Sequence, residues 1–267
     1  MKSISSRENP LFKQFVKLAE SAAQRRISGL TLLDGTHLIN AYHAALGLPQ
    51  SLIIGESADG QAEIKNLLAQ LATEQAVPVV VLSDALFREV SPVKTPSGII
   101  ALIAIPVHAV IPVYQGESFS VLLEAIQDPG NLGSILRSAA AAGASDVYLS
   151  AGCADAWSPK TLRAAMGAHF QLRIHEQSDL EKVARGFNGK VVATTLQAKT
   201  SLYQTRLTGT VAFVFGNEGA GLSEAVLQAA SEQVSIPMPG GTESLNAAAA
   251  AAVCFFERVR QNTSTAE

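Results

Sequence analysis

Short apolar runs without polar alternation fill the second half of the chain, and they constrain the fold more than any other feature. Strands that carry apolar residues on both faces must be covered on both sides, which is typical of parallel sheets flanked by helices. We therefore predict an α/β domain with a parallel sheet over residues 118–267. Its candidate strands are "FSVLLEA", "SDVYLS", "FQLRIH", "KVVATTL", "TVAFVFG" and "QVSIPM".

The first part of the chain alternates shorter strands and helices. An amphipathic helix, "NPLFKQFVKLAESAAQRR", precedes helical patterns at about 36–46 and 62–75. This alternation predicts a small α/β layer domain over residues 1–105. The segment 106–117 is rich in Pro and lacks periodicity, so we predict that it is the linker between the domains. The candidate strands here are "LTLLDG", "SLIIG", "PVVVLS" and "GIIALIAI".

Charge is distributed unevenly along the sequence. The whole chain of 267 residues has a formal net charge of −3, which argues against coating nucleic acid by bulk electrostatics. The first 30 residues, however, hold six basic and two acidic side chains, a net charge of +4. This indicates a local contact with a polyanion, and a solvated helix face without a partner is the alternative. The basic residues are Lys2, Arg7, Lys13, Lys17, Arg25 and Arg26.

Several classes of protein are disfavoured by what the sequence lacks. We find no apolar run long enough to span a bilayer and no charged-then-apolar leader, so we expect a cytoplasmic protein without membrane contact. Cys153 and Cys254 have no CxxC neighbour and the five histidines show no ligand spacing, so no metal is expected. We interpret both cysteines as buried or half-buried thiols, and His169 as a packing or surface residue.

Three polar clusters each follow a predicted strand at its carboxyl end, where open α/β sheets bind their ligands. Asn131 and Arg137 follow the first strand, Glu218 lies in "FVFGNEGAGLS", and Ser244 and Asn246 begin the last helix. Such polar residues are also common helix caps. The glycines of these clusters can be explained by the backbone conformations of tight turns alone. Arg137 is harder to explain structurally, because a buried arginine within the small apolar helix "SILRSAAAAG" would need a partner.

Common nucleotide motifs are not found. The loop "GNEGAG" is neither a dinucleotide fingerprint nor a phosphate-binding P-loop, and no G-x-S-x-G is present. An unrelated α/β enzyme with a nucleotide cofactor is therefore weakly supported.

The ordered set "DPGNLGSILRSAAAAG", "FGNEGAGLS" and "IPMPGGTESLNAAAAAA" resembles the three motifs of the SpoU (TrmH-like) RNA 2′-O-ribose methyltransferases of the SPOUT superfamily. The resemblance covers about residues 118–260 in the same order. The stretches "LDGTHLI" and "TPSGIIAL" also resemble the L30e-like substrate-binding domain found in this family, although more loosely.

The resemblance implies a fold and a cofactor that periodicity alone does not predict. It implies a C-terminal trefoil knot in the parallel sheet, an S-adenosylmethionine site within the knot, and a homodimer that completes the active site. The residues it implies for the cofactor are Thr195, Gly216, Ile236 and Leu245.

The resemblance also implies roles for the polar clusters. Arg137 organises the ribose 2′-hydroxyl and the adjacent phosphate, and whether it also acts as the base stays open. Asn131 and Glu218 shape the site, together with Ser244 and Asn246. The sequence departs from some members after this point, because Ala247 and Ala248 stand where those members have Val and Ser.

The function implied is transfer of a methyl group from S-adenosylmethionine to a ribose 2′-hydroxyl of structured RNA. Ribosomal RNA, 23S in particular, is favoured by the added N-terminal domain. A transfer RNA methyltransferase and a non-catalytic RNA-binding relative are the alternatives. The sequence does not identify the nucleotide or its base.

Overall fold

The computed structural model describes residues 2–107 and 118–264, and they form two compact units. The N-terminal unit comprises Met1–Val107 and Trp157–Phe170, and the C-terminal unit comprises His108–Ala156 and Gln171–Glu267. The predicted linker, 106–117, lies almost wholly outside the described residues, so the domain boundaries stay a prediction. Within the described ranges, no helix combines the length and the apolarity that crossing a bilayer requires.

The N-terminal unit is built on a five-stranded sheet of order β1-β4-β3-β5-β2. Strand β5 runs antiparallel to β2 and β3, and the other pairings are parallel. The predicted strands are confirmed, and β1 is an edge strand that the sequence pattern did not indicate. The strands are β1 (Lys2–Ile4), β2 (Leu30–Asp34), β3 (Ser51–Gly55), β4 (Val79–Leu82) and β5 (Ile99–Ala104). The helices are α1 (Pro10–Glu20), α2 (Ala22–Ser28), α3 (Thr36–Leu46), α4 (Ala62–Ala72), α5 (Asp84–Val90) and α7 (Pro159–Ala165).

The first amphipathic segment forms two helices rather than one. Ser21 adopts an extended backbone between α1 and α2, and its hydroxyl accepts the N–H of Gln24 at 3.3 Å. Serine is a favoured N-cap because its side chain competes with the helical hydrogen bonds. Helix α1 buries Phe12, Phe15 and Leu18 in the core of this unit.

The predicted basic N-terminal face is only partly correct. Arg25 is buried, and its guanidinium donates to the carbonyls of Leu18 and Ala19 at the end of α1. It therefore satisfies carbonyl groups that a helix end leaves open, rather than facing a polyanion. Arg7 pairs with Glu89 and Lys13 with Glu8 on the surface. The remaining basic side chains of the first 30 residues, Lys2, Lys17 and Arg26, are exposed.

The segment Trp157–Phe170 belongs to the N-terminal unit, although the predicted boundaries place it in the C-terminal domain. Thr31 donates to the carbonyl of Trp157 at 2.6 Å, and Arg163 pairs with the buried carboxylate of Asp34 at 2.6 Å. These contacts join residues more than a hundred positions apart, which sequence periodicity does not report.

The C-terminal unit is a seven-stranded sheet of order β10-β12-β9-β11-β6-β7-β8, and every pairing in it is parallel. The predicted α/β class with a parallel sheet is confirmed, and the knot implied by the resemblance stays a prediction. The strands are β6 (Phe119–Leu123), β7 (Asp146–Leu149), β8 (Arg173–His175), β9 (Lys190–Thr194), β10 (Thr200–Ser201), β11 (Val211–Phe215) and β12 (Glu232–Ser235). The helices are α6 (Pro129–Ala141), α8 (Leu180–Gly186), α9 (Glu224–Ala229) and α10 (Ala247–Ser264).

The two central strands and the last helix share an aromatic core. Every residue of β6 and β11 is buried, as strands covered on both faces should be. Phe255 on α10 packs against Phe119, Phe213 and Phe215 with ring centroids 5.4 to 6.0 Å apart. Helix α10 also packs against α6. The alanine run therefore begins a helix whose position on the sheet is fixed by buried rings.

Candidate active site

A cavity of about 300 Å³ lies at the carboxyl ends of β9, β11 and β12 in the C-terminal unit. Three chain segments line it, the loop after β9, the glycine-rich loop after β11 and the stretch from Val234 to Ala250. This is the edge where parallel α/β sheets present their ligand sites. The structure places all the residues expected to bind the cofactor on its wall, namely Thr195, Gly216, Ile236 and Leu245.

Gly216 lies where no side chain fits. A Cβ atom there would come within 2.3 Å of the carbonyl carbon and oxygen of Gly221 and 2.6 Å of the Leu222 nitrogen. All three atoms are backbone, so no side-chain rotation relieves the contact. Gly221 itself has φ +71°, the left-handed region that glycine adopts without strain. The loop folds back on itself at the cavity only because both positions are glycine.

Three of the predicted site residues form a continuous chain of hydrogen bonds. Asn246 Nδ2 donates to Asn131 Oδ1 at 2.9 Å, and Asn131 Nδ2 donates to Glu218 Oε1 at 2.6 Å. A carboxylate only accepts, so this sequence of donors fixes the orientation of both amides. The chain joins the start of α6, the glycine-rich loop and the start of α10, and thereby unites the three motifs.

Both amides are also anchored at helix N-termini. Asn246 Oδ1 accepts the N–H groups of Ala248 at 2.9 Å and Ala249 at 3.3 Å, which caps α10. The N–H of Asn131 donates to Asp128 Oδ1 at 2.7 Å, which caps α6. Asn246 therefore combines capping with site organisation, whereas at α6 Asp128 is the cap and Asn131 the site residue.

Arg137 is exposed, which corrects the expectation that it is a buried residue in need of a partner. Helix α6 buries its opposite side, including Leu132, Ile135 and Leu136. Arg137 follows Asn131 by six residues, which separates them by about 120° around the helix. Within residues 2–107 and 118–264, its guanidinium makes no hydrogen bond or ion pair. The structure therefore does not bring Arg137 into the chain of Glu218, Asn131 and Asn246.

The last two predicted residues of this region lie at the cavity mouth. Ser244 and Leu245 line the cavity and are exposed, Leu245 at 39% of its surface. Glu218 is also exposed and lines the cavity, so its carboxylate contributes negative charge there.

Sequence reasoning missed two residues that hold the glycine-rich loop, Asn217 and Glu124. Asn217 donates to the carbonyl of Ala125 at 3.0 Å, and Glu124 accepts the hydroxyl of Ser223 at 2.7 Å. Asn217 lies within the quoted motif "FGNEGAGLS" and Glu124 within the quoted strand "FSVLLEA", so their polar character was a visible signal. Their partners lie more than ninety residues away in sequence, however, and no pattern indicates such pairings.

The cysteines and His169 lie apart from this chemistry. Burial raises the pKa of both thiols, strongly for the fully buried Cys254 and less for Cys153. Both are free, which confirms the interpretation of plain thiols. His169 is buried beside Trp157 in the N-terminal unit, with ring centroids 5.1 Å apart. Among the described residues, no group of three or more His, Cys, Asp or Glu is placed to hold a metal ion.

Comparison with known families yields two matches that together span most of the chain. Residues 118–256 match the model of the SpoU rRNA Methylase family. Residues 2–101 match the model of the MRM3-like substrate binding domain.

Curated relatives match nearly the whole length of the chain. An uncharacterized tRNA/rRNA methyltransferase of Synechocystis is 33% identical, over 97% of this chain and 94% of its own. The Bacillus subtilis 23S rRNA (guanosine(2553)-2′-O)-methyltransferase RlmP is 30% identical, over 96% of this chain and 98% of its own.

Solved structures show the same architecture. The SpoU methyltransferase AviRb of Streptomyces viridochromogenes, in complex with the cofactor AdoMet, matches with a TM-score of 0.86 at 28% identity. That match covers 96% of this chain and 99% of AviRb. An RNA 2′-O ribose methyltransferase matches with a TM-score of 0.82 at 30% identity, over 98% and 99% of the two chains.

Proposed function

The chain belongs to the SpoU rRNA methylase family, and from this premise we propose that it transfers the methyl group of S-adenosylmethionine to a ribose 2′-hydroxyl of ribosomal RNA. The observation that carries the proposal is the cavity lined by the second and third motifs, to which the hydrogen bonds from Asn246 through Asn131 to Glu218 join the first motif. We favour 23S rRNA, because two relatives, RlmP of Bacillus subtilis and a methyltransferase of Streptomyces viridochromogenes, are each named as 23S rRNA enzymes. We also propose a cytoplasmic location, which a ribosomal RNA substrate supports.

The cavity residues fit S-adenosylmethionine. A volume of about 300 Å³ is within the range of small-molecule sites. Gly216 has only backbone atoms, so its amide and carbonyl groups form this part of the cavity wall and can face a ligand directly. Thr195, Gly216, Ile236 and Leu245 would hold the cofactor. When bound, it supplies an electrophilic methyl group on a sulfonium, which a ribose oxygen can attack in line.

The protein's own contribution is to position the RNA hydroxyl and to assist the loss of its proton. The hydrogen bonds among Asn246, Asn131 and Glu218 hold three loop ends in one arrangement, and fixed geometry of this kind lowers the barrier to transfer. Ser244 presents a hydroxyl at the cavity mouth, where the ribose would arrive. Arg137 binds the adjacent phosphate and stabilises the negative charge that develops on the 2′-oxygen.

A homodimer accounts for the exposed position of Arg137. Its face of α6 is formed by small side chains, among them Ser134 and Ala141, which allow another helix to approach closely. The neighbouring helix α10 exposes half of Phe256. An aromatic ring left this open in one chain is a typical anchor of an interface. We propose that these faces pair in a dimer and that Arg137 thereby reaches the cavity of the partner.

The N-terminal unit is proposed as the reader of the RNA substrate. Its match to a substrate-binding domain and its exposed Lys2, Lys17 and Arg26 support this role. Cations on a protein surface contact phosphates and fix the register of the RNA without specifying its sequence.

Incubation with labelled S-adenosylmethionine and total RNA from a strain lacking the protein tests the proposal. The RNA is then digested to nucleosides and the label is identified by chromatography. We expect label in a 2′-O-methylated nucleoside, and its base identifies the target. Label on a base, or failure of the protein to bind S-adenosylmethionine, would overturn the proposal.

A further inference from the structure

The glycine-rich loop, residues 216–223, forms a large part of the cavity wall, and two side chains tie it to the rest of its unit. Residues 218–221 are exposed, and Gly221 has a positive φ. Glycine loses more backbone entropy on ordering than any other residue, so such a loop needs anchors outside itself. The structure provides one anchor at each end of the loop.

Asn217 anchors the beginning of the loop. Its Oδ1 accepts the N–H groups of Gly219 at 2.9 Å and Ala220 at 3.0 Å, while its Nδ2 donates to the carbonyl of Ala125 at 3.0 Å. The backbone of Asn217 also exchanges two hydrogen bonds with Gly221. The side chain therefore shapes the loop internally and ties it to the residues after β6.

Ala125 is held in an unusual backbone conformation that directs its carbonyl to Asn217. Its φ is +53°, a region that residues with a Cβ rarely adopt. The N–H of Ala125 donates to the hydroxyl of Ser150 at 2.9 Å, which stabilises this conformation from the end of β7. In this conformation the Ala125 carbonyl accepts the hydrogen bond from Asn217, so the strained residue serves the glycine-rich loop.

Glu124 anchors the other end of the loop. Its carboxylate accepts both the N–H of Ser223 at 2.8 Å and the hydroxyl of Ser223 at 2.7 Å. The same hydroxyl accepts the N–H of Val226 at 3.4 Å and so caps α9. Consecutive residues after β6, Glu124 and Ala125, thus hold the two ends of one loop.

We propose that Glu124 and Asn217 are positioning residues that keep the glycine-rich loop in the conformation that binds S-adenosylmethionine. Gly216, which lines the cavity, immediately precedes the first anchor, and Glu218, which orients Asn131, lies between the two. Without either anchor the loop populates open conformations. The apparent affinity then falls in proportion to the fraction of molecules that remain competent to bind the cofactor. The ligand in this inference rests on the proposed function.

Two substitutions that change the charge in opposite directions test the inference. Glu124→Gln removes a negative charge and Asn217→Asp adds one, while each keeps the size of its side chain. S-adenosylmethionine carries a net positive charge, so purely electrostatic effects would make the first weaken binding and the second tighten it. Loss of an anchor weakens binding in both. We expect the Kd from calorimetry to rise about tenfold in each variant, the loss of a charge-assisted or buried amide hydrogen bond.

Matched controls separate this effect from charge and from general destabilisation. Glu224→Gln removes a carboxylate whose side-chain hydrogen bond, within the described part of the chain, is with Gln228 on the same helix. Asn188→Asp adds a carboxylate just before β9, at the opposite edge of the sheet from the cavity. Both controls should bind the cofactor as the wild type does. If Glu124→Gln does not fold, Ser223→Ala removes one of the same hydrogen bonds and should raise the Kd about threefold.

Two further measurements exclude a merely structural role. Hydrogen exchange in the ligand-free protein should accelerate at residues 216–223 while the strands of the sheet remain as protected as in the wild type. In methyl-transfer assays, KM for the cofactor should rise while kcat at saturation stays near the wild-type value, because bound cofactor restores the loop.

The outcomes distinguish this inference from the proposed function. Weaker binding in both variants with faster loop exchange supports the anchors. A Kd equal to that of the wild type in both variants, or a tighter Kd for Asn217→Asp, overturns the proposed role of the anchors and leaves the proposed function intact. Absence of cofactor binding by the wild type overturns both.

Discussion

Replacing Gly216 with alanine should abolish most cofactor binding because of one backbone collision. The new Cβ would lie 2.3 Å from the Gly221 carbonyl, and ordinary contact begins at 3.4 Å. The opposite strand of the glycine-rich loop must therefore retreat by about 1 Å. A displacement of this size at a positioned site costs about 100-fold in rate. Overpacking should also lower the free energy of unfolding by about 1–3 kcal/mol.

Gly189→Ala provides a control with the same kind of collision. Its Cβ would lie 2.5 Å from the carbonyl oxygen of Thr210, next to β9 and at the opposite edge of the sheet from the cavity. We expect the two variants to lose similar stability in urea unfolding. Only Gly216→Ala should weaken the Kd for S-adenosylmethionine, and its methyl-transfer rate should fall about 100-fold. Equal cofactor affinity in both variants would refute the placement of the cofactor beside Gly216.

Three other variants test the remaining roles. Arg137→Ala should abolish methyl transfer but leave the calorimetric Kd for the cofactor within about twofold, because its guanidinium acts on RNA; an equal loss of both would exclude this role. Phe256→Glu should yield a monomer in sedimentation where the wild type sediments as the proposed dimer, since a charge would replace an apolar anchor; a variant that still dimerises would place the interface elsewhere. Replacing Lys17 and Arg26 together with alanine should weaken RNA binding and reduce the slope of log K against log salt by about 1.4–1.8; an unchanged slope would show that these cations do not contact phosphate.

Much of the sheet could be predicted from the sequence because burial on both faces leaves a direct signature. Strands β6 and β11 are entirely apolar apart from Ser120, and each is bounded by polar or glycine residues. By contrast, β10 has two residues and pairs at an edge, so it carries no periodicity. The break at Ser21 was missed because apolar spacing continues through it, and only the serine itself signals a cap.

Residues of the candidate site could be predicted from the sequence, but the contacts among them could not. Polar residues beyond the carboxyl ends of parallel strands had to lie near one another, and Asn131, Glu218 and Asn246 do. Arg137 was misjudged because a helix of small residues was taken as buried on all sides, whereas alanine and serine also suit an exposed face. The roles of Asn217 and Glu124 depend on the left-handed backbone of Ala125, which sequence alone does not reveal.

The segment Trp157–Phe170 shows that domain membership, like the contacts of the site, could not be predicted from the sequence. It packs on β2 through Thr31 and Asp34, which precede it by more than a hundred residues. Removing residues 1–105 would therefore also expose this segment. Surface substitutions such as those at Lys17 and Arg26 test RNA binding without that disturbance.

Alkaline hydrolysis of 23S rRNA tests the central claim most directly. Cleavage by alkali requires a free 2′-hydroxyl, so a 2′-O-methylated nucleotide leaves a protected position. We compare rRNA from cells with the protein, from cells without it, and from cells expressing Gly216→Ala. The account predicts one protected position that is lost without the protein and nearly lost in the variant. Identical cleavage patterns from the cells with and without the protein would contradict the assignment of 23S rRNA ribose methylation.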